Sequence, residues 1–279
     1  MIYRKFGRTD AHISAIGVGG HHLGDVPTLD EAVKLVHEAV DAGITFFDNA
    51  WEYYNGKTET ILGRALRDGR REKVFLMTKV CTHGRSGKLA MQMLEDSLRR
   101  YQTDHLDLWQ IHGIVYDNDP ELAYAKGGVL EAFDRAKKEG KVRFVGFTGH
   151  KDPTFHLKML ELGYPFDTVQ MPLNPFDSNF HSFERQVLPE VNRRGMAALR
   201  TEIDFVRAAL RGNRVRVATW IAVADRLRVE RRFQVLRAAD GATLARARTE
   251  YVCINLDSGR AVRMPELFAR AYVVTPANQ

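Results

Sequence analysis

An aspartate, a lysine and a histidine each close a separate apolar run in the first half of this 279-residue chain. Asp48 ends Ile44-Thr45-Phe46-Phe47-Asp48, and Tyr53 lies five residues further on. Lys79 ends Val74-Phe75-Leu76-Met77-Thr78-Lys79, and His112 ends Leu106-Asp107-Leu108-Trp109-Gln110-Ile111-His112. A tyrosine flanked by such groups has the makings of a general acid, because a lysine's charge favours the phenolate and eases release of the proton. In a parallel sheet or barrel the C-terminal strand ends converge on one face, so residues distant in sequence meet there. Taken singly, Asp48, Lys79 and His112 each fit a buried ion pair or a hydrogen-bonded rim residue. Their coincidence at strand ends is what points to an enzyme.

Other short motifs carry less. Gly17-Val18-Gly19-Gly20-His21-His22 resembles a dinucleotide fingerprint, but the third glycine of G-x-G-x-x-G would fall at His22. The glycines suit a tight loop at the end of the first strand, beside whatever binds there. Neither His21-His22 nor Cys81-Thr82-His83 has useful metal-ligand spacing, and no metal is expected.

The elements that must position these residues alternate. Strand-like runs cover residues 15–19, 44–48, 74–79, 106–112, 142–148 and 168–171. Amphipathic helical stretches cover 29–42, 58–66, 87–101, 127–139, 153–162 and 183–194, with apolar residues three and four apart. Thr28 is the expected N-cap of the first helix, with Glu31 completing a capping box. Six such units predict right-handed βαβ crossovers and a parallel sheet. No tight two-residue turn joins consecutive strands, so antiparallel hairpins are not expected in this part. After residue 199 the rhythm changes to period-two runs at 201–206, 214–223, 226–237 and 244–255. Gly212-Asn213, Ala224-Asp225 and Asp240-Gly241 separate them, which predicts an antiparallel meander.

Composition agrees with this division. Residues 200–279 hold 15 arginines, no lysine and 8 acidic residues, a charge of +7; residues 1–199 hold 26 basic and 27 acidic residues, a charge of −1. The tail arginines alternate with apolar residues, as in Arg214-Val215-Arg216-Val217, which suits the wet face of a sheet better than a phosphate-binding patch. Nucleic acid is therefore not an expected partner. No apolar run reaches the ~18 residues of a membrane span. The N-terminus lacks a signal-peptide core, and Cys81 and Cys253 have no CxxC partner, so a cytoplasmic setting is expected.

Phe47-Asp48-Asn49-Ala50-Trp51-Glu52-Tyr53, followed by Glu59, resembles the signature of the aldo-keto reductases. Lys79 and His112 match that family's remaining catalytic positions. Residues 142–148 and 168–174 look like its fifth and sixth strands. The resemblance covers about residues 1–199 and implies a (β/α)8 TIM barrel reducing a carbonyl substrate with NADP(H). It implies Tyr53 as proton donor, Lys79 paired with Asp48 as the group acidifying it, and His112 as the carbonyl-orienting residue. Gly20, His21, Thr148 and Gln170 would line the cofactor site, with Gln170 on the nicotinamide carboxamide. Asn49, Tyr54 and Gly149 depart from the family's common threonine, glycine and asparagine.

After Gly195-Met196-Ala197-Ala198-Leu199, which looks like a seventh strand, the family's last two units have no match in this sequence. Residues 200–272 instead resemble the second half of a hotdog-fold acyl-CoA thioesterase of the 4-hydroxybenzoyl-CoA type. The segments that carry this are Glu202-Ile203-Asp204-Phe205, Gly212-Asn213-Arg214-Val215 and Arg248-Thr249-Glu250-Tyr251-Val252-Cys253. Two domains are expected, a partial barrel over 1–199 and a hotdog-like meander over 200–279. The barrel should have six to seven strands and stay open. An uncovered apolar face including Val215, Val217 and Phe233 should promote self-association through the tail. Two other readings are a catalytically inactive chimera and an acyl-CoA thioesterase-like module; binding of a nicotinamide cofactor separates the leading reading from both.

Overall fold

The computed structural model describes residues 1–81, 83–173, 181–200, 215–224 and 228–252. It divides into two compact units, Met1–Thr201 and Glu202–Gln279.

The first unit opens with an antiparallel pair, β1 (Tyr3–Lys5) and β2 (His12–Ser14). This hairpin was not expected, and its length explains why. Its strands have three residues each, and a loop over 6–11 replaces a two-residue turn. That loop is closed by a Phe6 N to Ala11 O bond of 2.8 Å, with Gly7 at φ 58°. Phe6 is buried, its ring 4.8 Å from Phe75 and 5.6 Å from Phe144.

Seven parallel strands follow, alternating with helices. In chain order these are β3 (Gly17–Gly19), α1 (Leu29–Asp41), β4 (Phe46–Asp48), α2 (Lys57–Ala65), β5 (Phe75–Val80), α3 (Gly87–Tyr101) and β6 (Leu106–Ile111). They continue with α4 (Asp119–Tyr124), α5 (Val129–Lys138), β7 (Val142–Thr148), α6 (Pro153–Glu161), β8 (Thr168–Met171), α7 (Phe183–Gln186), α8 (Leu188–Arg193) and β9 (Ala197–Arg200). Each strand from β3 to β9 pairs with the next in sequence, all parallel. Among the described residues β3 and β9 have one neighbour each, so the sheet is an incomplete barrel of seven strands. This is the α/β architecture that the strand–helix rhythm predicted.

Two local departures have causes in the sequence. The stretch 183–194 is divided at Val187, and Pro189 sits in the first turn of α8. Proline there lacks an N–H and would clash with the carbonyl of Arg185 in a continuous helix. The unpredicted α4 starts at Asp119-Pro120, where proline is tolerated. The Thr28 cap is present: Glu31 N donates to Thr28 Oγ1 at 3.2 Å, and the Thr28 hydroxyl donates to Glu31 Oε2 at 3.0 Å.

Side chains alternate across the sheet and build two apolar layers. Phe6, Ile13, Phe46, Phe75, Met77, Leu108 and Leu199 form one cluster, with Phe144 packed against it. Phe47, Leu76, Trp109, Val145 and Phe147 join helix residues such as Leu94 and Phe133 in the other. The first cluster is the inner one, and its parity matters. Asp48 follows Phe46 by two, Lys79 follows Met77 by two, and His112 follows Leu108 by four. The polar residues therefore share the face of the inner layer, at its C-terminal rim.

The second unit holds β10 (Val215–Ala224), β11 (Arg228–Arg237) and β12 (Thr243–Val252) as an antiparallel meander in that order. Asp240-Gly241 turns the chain between β11 and β12. Gly241 N donates to Arg237 O at 2.8 Å, and Gly241 sits at φ 72°. The expected strand at 201–206, the Gly212-Asn213 turn and residues 253–255 lie outside the described residues. No helix among the described residues is long and apolar enough to cross a membrane.

Candidate active site

Asp48 and Lys79 form a close ion pair at the ends of the adjacent strands β4 and β5. Lys79 Nζ also donates to Asn49 O at 2.7 Å, and the lysine is only 2% exposed. Burial acts to lower the lysine's pKa; the charges and hydrogen bonds of Asp48 and Tyr53 outweigh it, and the net shift is upward. The group is therefore a fixed ammonium. The other oxygen of Asp48 accepts from Gln170 Nε2 at 2.7 Å, so this carboxylate joins strands far apart in the sheet.

Tyr53 stands at the start of a 3-10 turn, Tyr53–Gly56, that follows β4. The lysine nitrogen lies 5.3 Å from the centre of its ring. His112 follows β6 directly, its backbone N donating to Val80 O at 3.2 Å, and its ring meets Tyr53 edge-on at 5.7 Å. Asp48, Tyr53, Lys79 and His112 thus converge on one rim.

The four remaining candidates border the same place. Gly20 N donates to Asp48 O at 2.6 Å, and the His21 ring meets Tyr53 edge-on at 5.0 Å. Thr148 pairs in register with Gln170 across β7 and β8. The Thr148 hydroxyl oxygen accepts from Gly113 N at 2.9 Å, which leaves its own hydrogen available to donate. Both side chains are buried. A hydroxyl and a carboxamide side by side at the rim are a donor set that fits a nicotinamide carboxamide.

Several site residues were missed in the sequence. Glu52 Oε1 lies 2.6 Å from His112 Nδ1. Burial lowers the histidine's pKa and Lys79 lowers it further, while Glu52 and Asp48 act to raise it; the net shift is downward. Glu59 is fully buried and accepts from Thr78 at 2.6 Å, Ser97 at 2.7 Å and Arg100 at 2.9 Å. Arg100 also donates to Trp51 O at 3.0 Å and lies 5.2 Å from the centre of the Trp51 ring system, holding the segment before Tyr53 to α3. Both glutamates stand in the signature segment, but their partners His112 and Arg100 lie far along the chain, so neither role could be read from it.

The three departures from the family signature have local explanations. Asn49 Oδ1 accepts from Ala50 N and Thr58 Oγ1, both at 2.9 Å. Tyr54 occupies φ 49°, ψ 41°, the left-handed region in which glycine is at ease. At Gly149 a Cβ would come within 2.5 Å of His156 Cε1 and 2.6 Å of Ile114 O. The imidazole of His156 fills the space that a side chain at 149 would need.

His21, His22 and Asp25 bring ligand-type atoms within 4.8 Å of one another at the mouth. Asp25 is already engaged there by His22 at 3.1 Å and by the Tyr54 hydroxyl. A groove of about 890 Å³ lies away from this rim, near the N-terminal strand ends, lined by Arg67, Arg71, Glu95, Arg99, Asp104 and Lys141.

Comparison with known proteins bears on this geometry. The Aldo/keto reductase family profile matches residues 15–201, and a Thioesterase-like superfamily profile matches residues 170–272. The chain is 30% identical over 205 residues to the aldo-keto reductase YhdN of Bacillus subtilis, covering 68% of this chain and 58% of that relative. It is 32% identical over 159 residues to the oxidoreductase YqkF of the same organism, covering 53% of this chain and 49% of that one. Among solved structures, the holo form of aldo-keto reductase AKR11C1 from Bacillus halodurans superposes with a TM-score of 0.60 at 27% identity, over 72% of this chain and 65% of that one. The chain spans about half the length of the curated relatives it matches. With a family profile over two thirds of its length and a sheet of the same fold, this chain belongs to the aldo/keto reductase family.

Proposed function

We propose that this protein reduces an aldehyde or ketone to the alcohol using NADP(H). The observation that carries the reading is the convergence of Tyr53, His112 and the Asp48–Lys79 ion pair on one strand-end rim. Family membership and oxidoreductase relatives support it.

The nicotinamide cofactor, when bound, supplies a hydride to the carbonyl carbon. Thr148 and Gln170 would hold its carboxamide, with Gly20 and His21 at the adjoining loop. Tyr53 then donates its phenolic proton to the carbonyl oxygen as negative charge develops there. Lys79, held as an ammonium by Asp48, stabilises the phenolate that remains and so assists the proton's departure. His112 positions the carbonyl oxygen beside the tyrosine. Fixed charges at a buried rim act without solvent reorganisation, which is where such stabilisation is strongest.

The reading is tested by titrating NADPH against the full chain and following cofactor fluorescence. Oxidation is then measured with a panel of aldehydes and ketones. Saturable quenching and carbonyl-dependent oxidation are expected; no quenching at high NADPH would reject the reading.

A further inference from the structure

The contact between Glu52 and His112 has a chemical consequence. The two atoms stand at ion-pair distance without hydrogen-bond alignment, and a carboxylate oxygen 2.6 Å from Nδ1 would repel a lone pair there, so the charge of Glu52 favours a proton on Nδ1. With Nδ1 protonated, the character of Nε2 on the far side of the ring depends on total charge. In the neutral ring Nε2 can only accept a hydrogen bond. In the imidazolium it donates one. A carbonyl oxygen needs a donor, so only the charged ring can add a second hydrogen bond to the one from Tyr53.

Which form prevails depends on the groups facing the ring. Lys79 and burial oppose the charge, while Asp48 and Glu52 favour it. Tyr53 meets the ring edge-on, and Arg85 donates to the His112 carbonyl oxygen at 3.2 Å while pairing with Asp119. Among the two carboxylates, the one with an oxygen on the ring nitrogen is Glu52, and its side chain is 30% exposed. It is therefore in contact with solvent, whereas the Lys79 side chain of the Asp48–Lys79 pair is only 3% exposed.

We propose that Glu52 is a positioning residue whose charge, set against His112 Nδ1, stabilises the imidazolium, making Nε2–H a second donor to the substrate carbonyl oxygen. The inference rests on the carbonyl-reductase reading. No extra proton is consumed: the hydride goes to carbon, the Tyr53 proton goes to oxygen, and His112 lends a hydrogen bond that it keeps. Turnover then requires a charged His112, and kcat/KM falls as pH rises through its titration.

Glu52→Gln is the discriminating variant. The amide keeps the size and the oxygen of the carboxylate beside Nδ1, so the shape of the contact is kept while the charge is lost. Two measurements are made on the full chain, the NMR titration of the His112 ring and the pH profile of kcat/KM. In Glu52→Gln the titration is expected to move down by about one pH unit, the scale of an adjacent opposite charge. The alkaline limb of kcat/KM should move with it, while NADPH affinity is unchanged. Glu52→Leu, which loses the acceptor as well, should lower kcat about tenfold further at every pH with little change in KM. A His112 titration and alkaline limb identical in parent and Glu52→Gln would overturn this role and leave the reductase reading standing. A parent protein that binds NADPH but reduces no carbonyl at any pH would overturn the reading itself and this role with it.

Discussion

Tyr54 donates its phenolic hydrogen to Asp25, tying the turn that carries Tyr53 to the loop after β3. The aspartate's pKa is lowered by this bond and by His22. The tie is reinforced by contacts of the ring itself. A Cβ on Gly24 would lie 2.3 Å from Tyr54 Cδ2, and Lys57 Nζ donates to Gly24 O at 2.8 Å. Tyr54 tolerates a left-handed backbone, at a cost of about 1–2 kcal/mol, because these contacts hold it. Gly24→Ala should therefore destabilise the protein by about 1–3 kcal/mol through overpacking. In a Tyr54→Gly background the same change should cost little, since the opposing ring is gone. Denaturant unfolding of the two single variants and the double measures the coupling; additive losses would show that ring and glycine do not meet.

Arg100 is the counter-charge of a carboxylate with no exposed surface. Burial raises the pKa of Glu59, and its hydrogen bonds to Thr78, Ser97 and Arg100 oppose that rise. Arg100→Met should destabilise by roughly 3–5 kcal/mol, the range for stranding a buried charge. Arg100→Met with Glu59→Gln should recover part of the loss. Equal destabilisation of the single and double variants would mean that lost packing, not stranded charge, sets the cost.

His156 predicts an acid limit to stability. It is fully buried, its ring 5.2 Å from Phe147 and 4.9 Å from Phe183. Burial takes its pKa from 6.5 down to about 4, partly offset by the backbone of Gln170 and Asp152. Below pH 6.5 the unfolded chain binds a proton that the folded chain refuses, so stability is full above that pH and is lost as pH falls towards 4. The loss amounts to about 3 kcal/mol at most, from about 1.4 kcal/mol per unit. Unfolding free energies at pH 7 and pH 4.5 should differ less in His156→Gln than in the parent; equal slopes would assign the acid sensitivity elsewhere.

Removing the acid without disturbing the ring isolates the proposed proton transfer. Tyr53→Phe should lower kcat by on the order of 10²–10⁴-fold while NADPH affinity stays within a few-fold. Parental turnover in this variant would identify another group as the acid.

How much of this was legible in the sequence depends on what each feature rests upon. Asp48, Lys79 and His112 could be found because each closes an apolar run, and the period-two parity of Phe46, Met77 and Leu108 carries them to the inner rim. The meander was legible from Asp240-Gly241 and the alternation around it. The hairpin of β1 and β2 was not, because a six-residue loop leaves no turn signature. The break at Val187 was signalled by Pro189 and passed over because the apolar spacing continues across it. Glu52 and Glu59 stand in the signature segment but their roles were not legible, since their partners His112 and Arg100 are distant in sequence and meet them only after folding. The absence of a side chain at position 149 is explained by His156 and the Ile114 carbonyl oxygen, contacts that no local pattern encodes.

Transfer of label tests the hydride and proton steps together. The full chain is incubated with NADPH deuterated at the hydride-donating carbon and an aldehyde that it oxidises the cofactor with, and the product is analysed by mass spectrometry. An alcohol carrying deuterium on the former carbonyl carbon is expected from the parent, and its formation is expected to be suppressed in Tyr53→Phe. Cofactor oxidation with no deuterium in the alcohol, or equal labelling by both proteins, would contradict the proposed reduction.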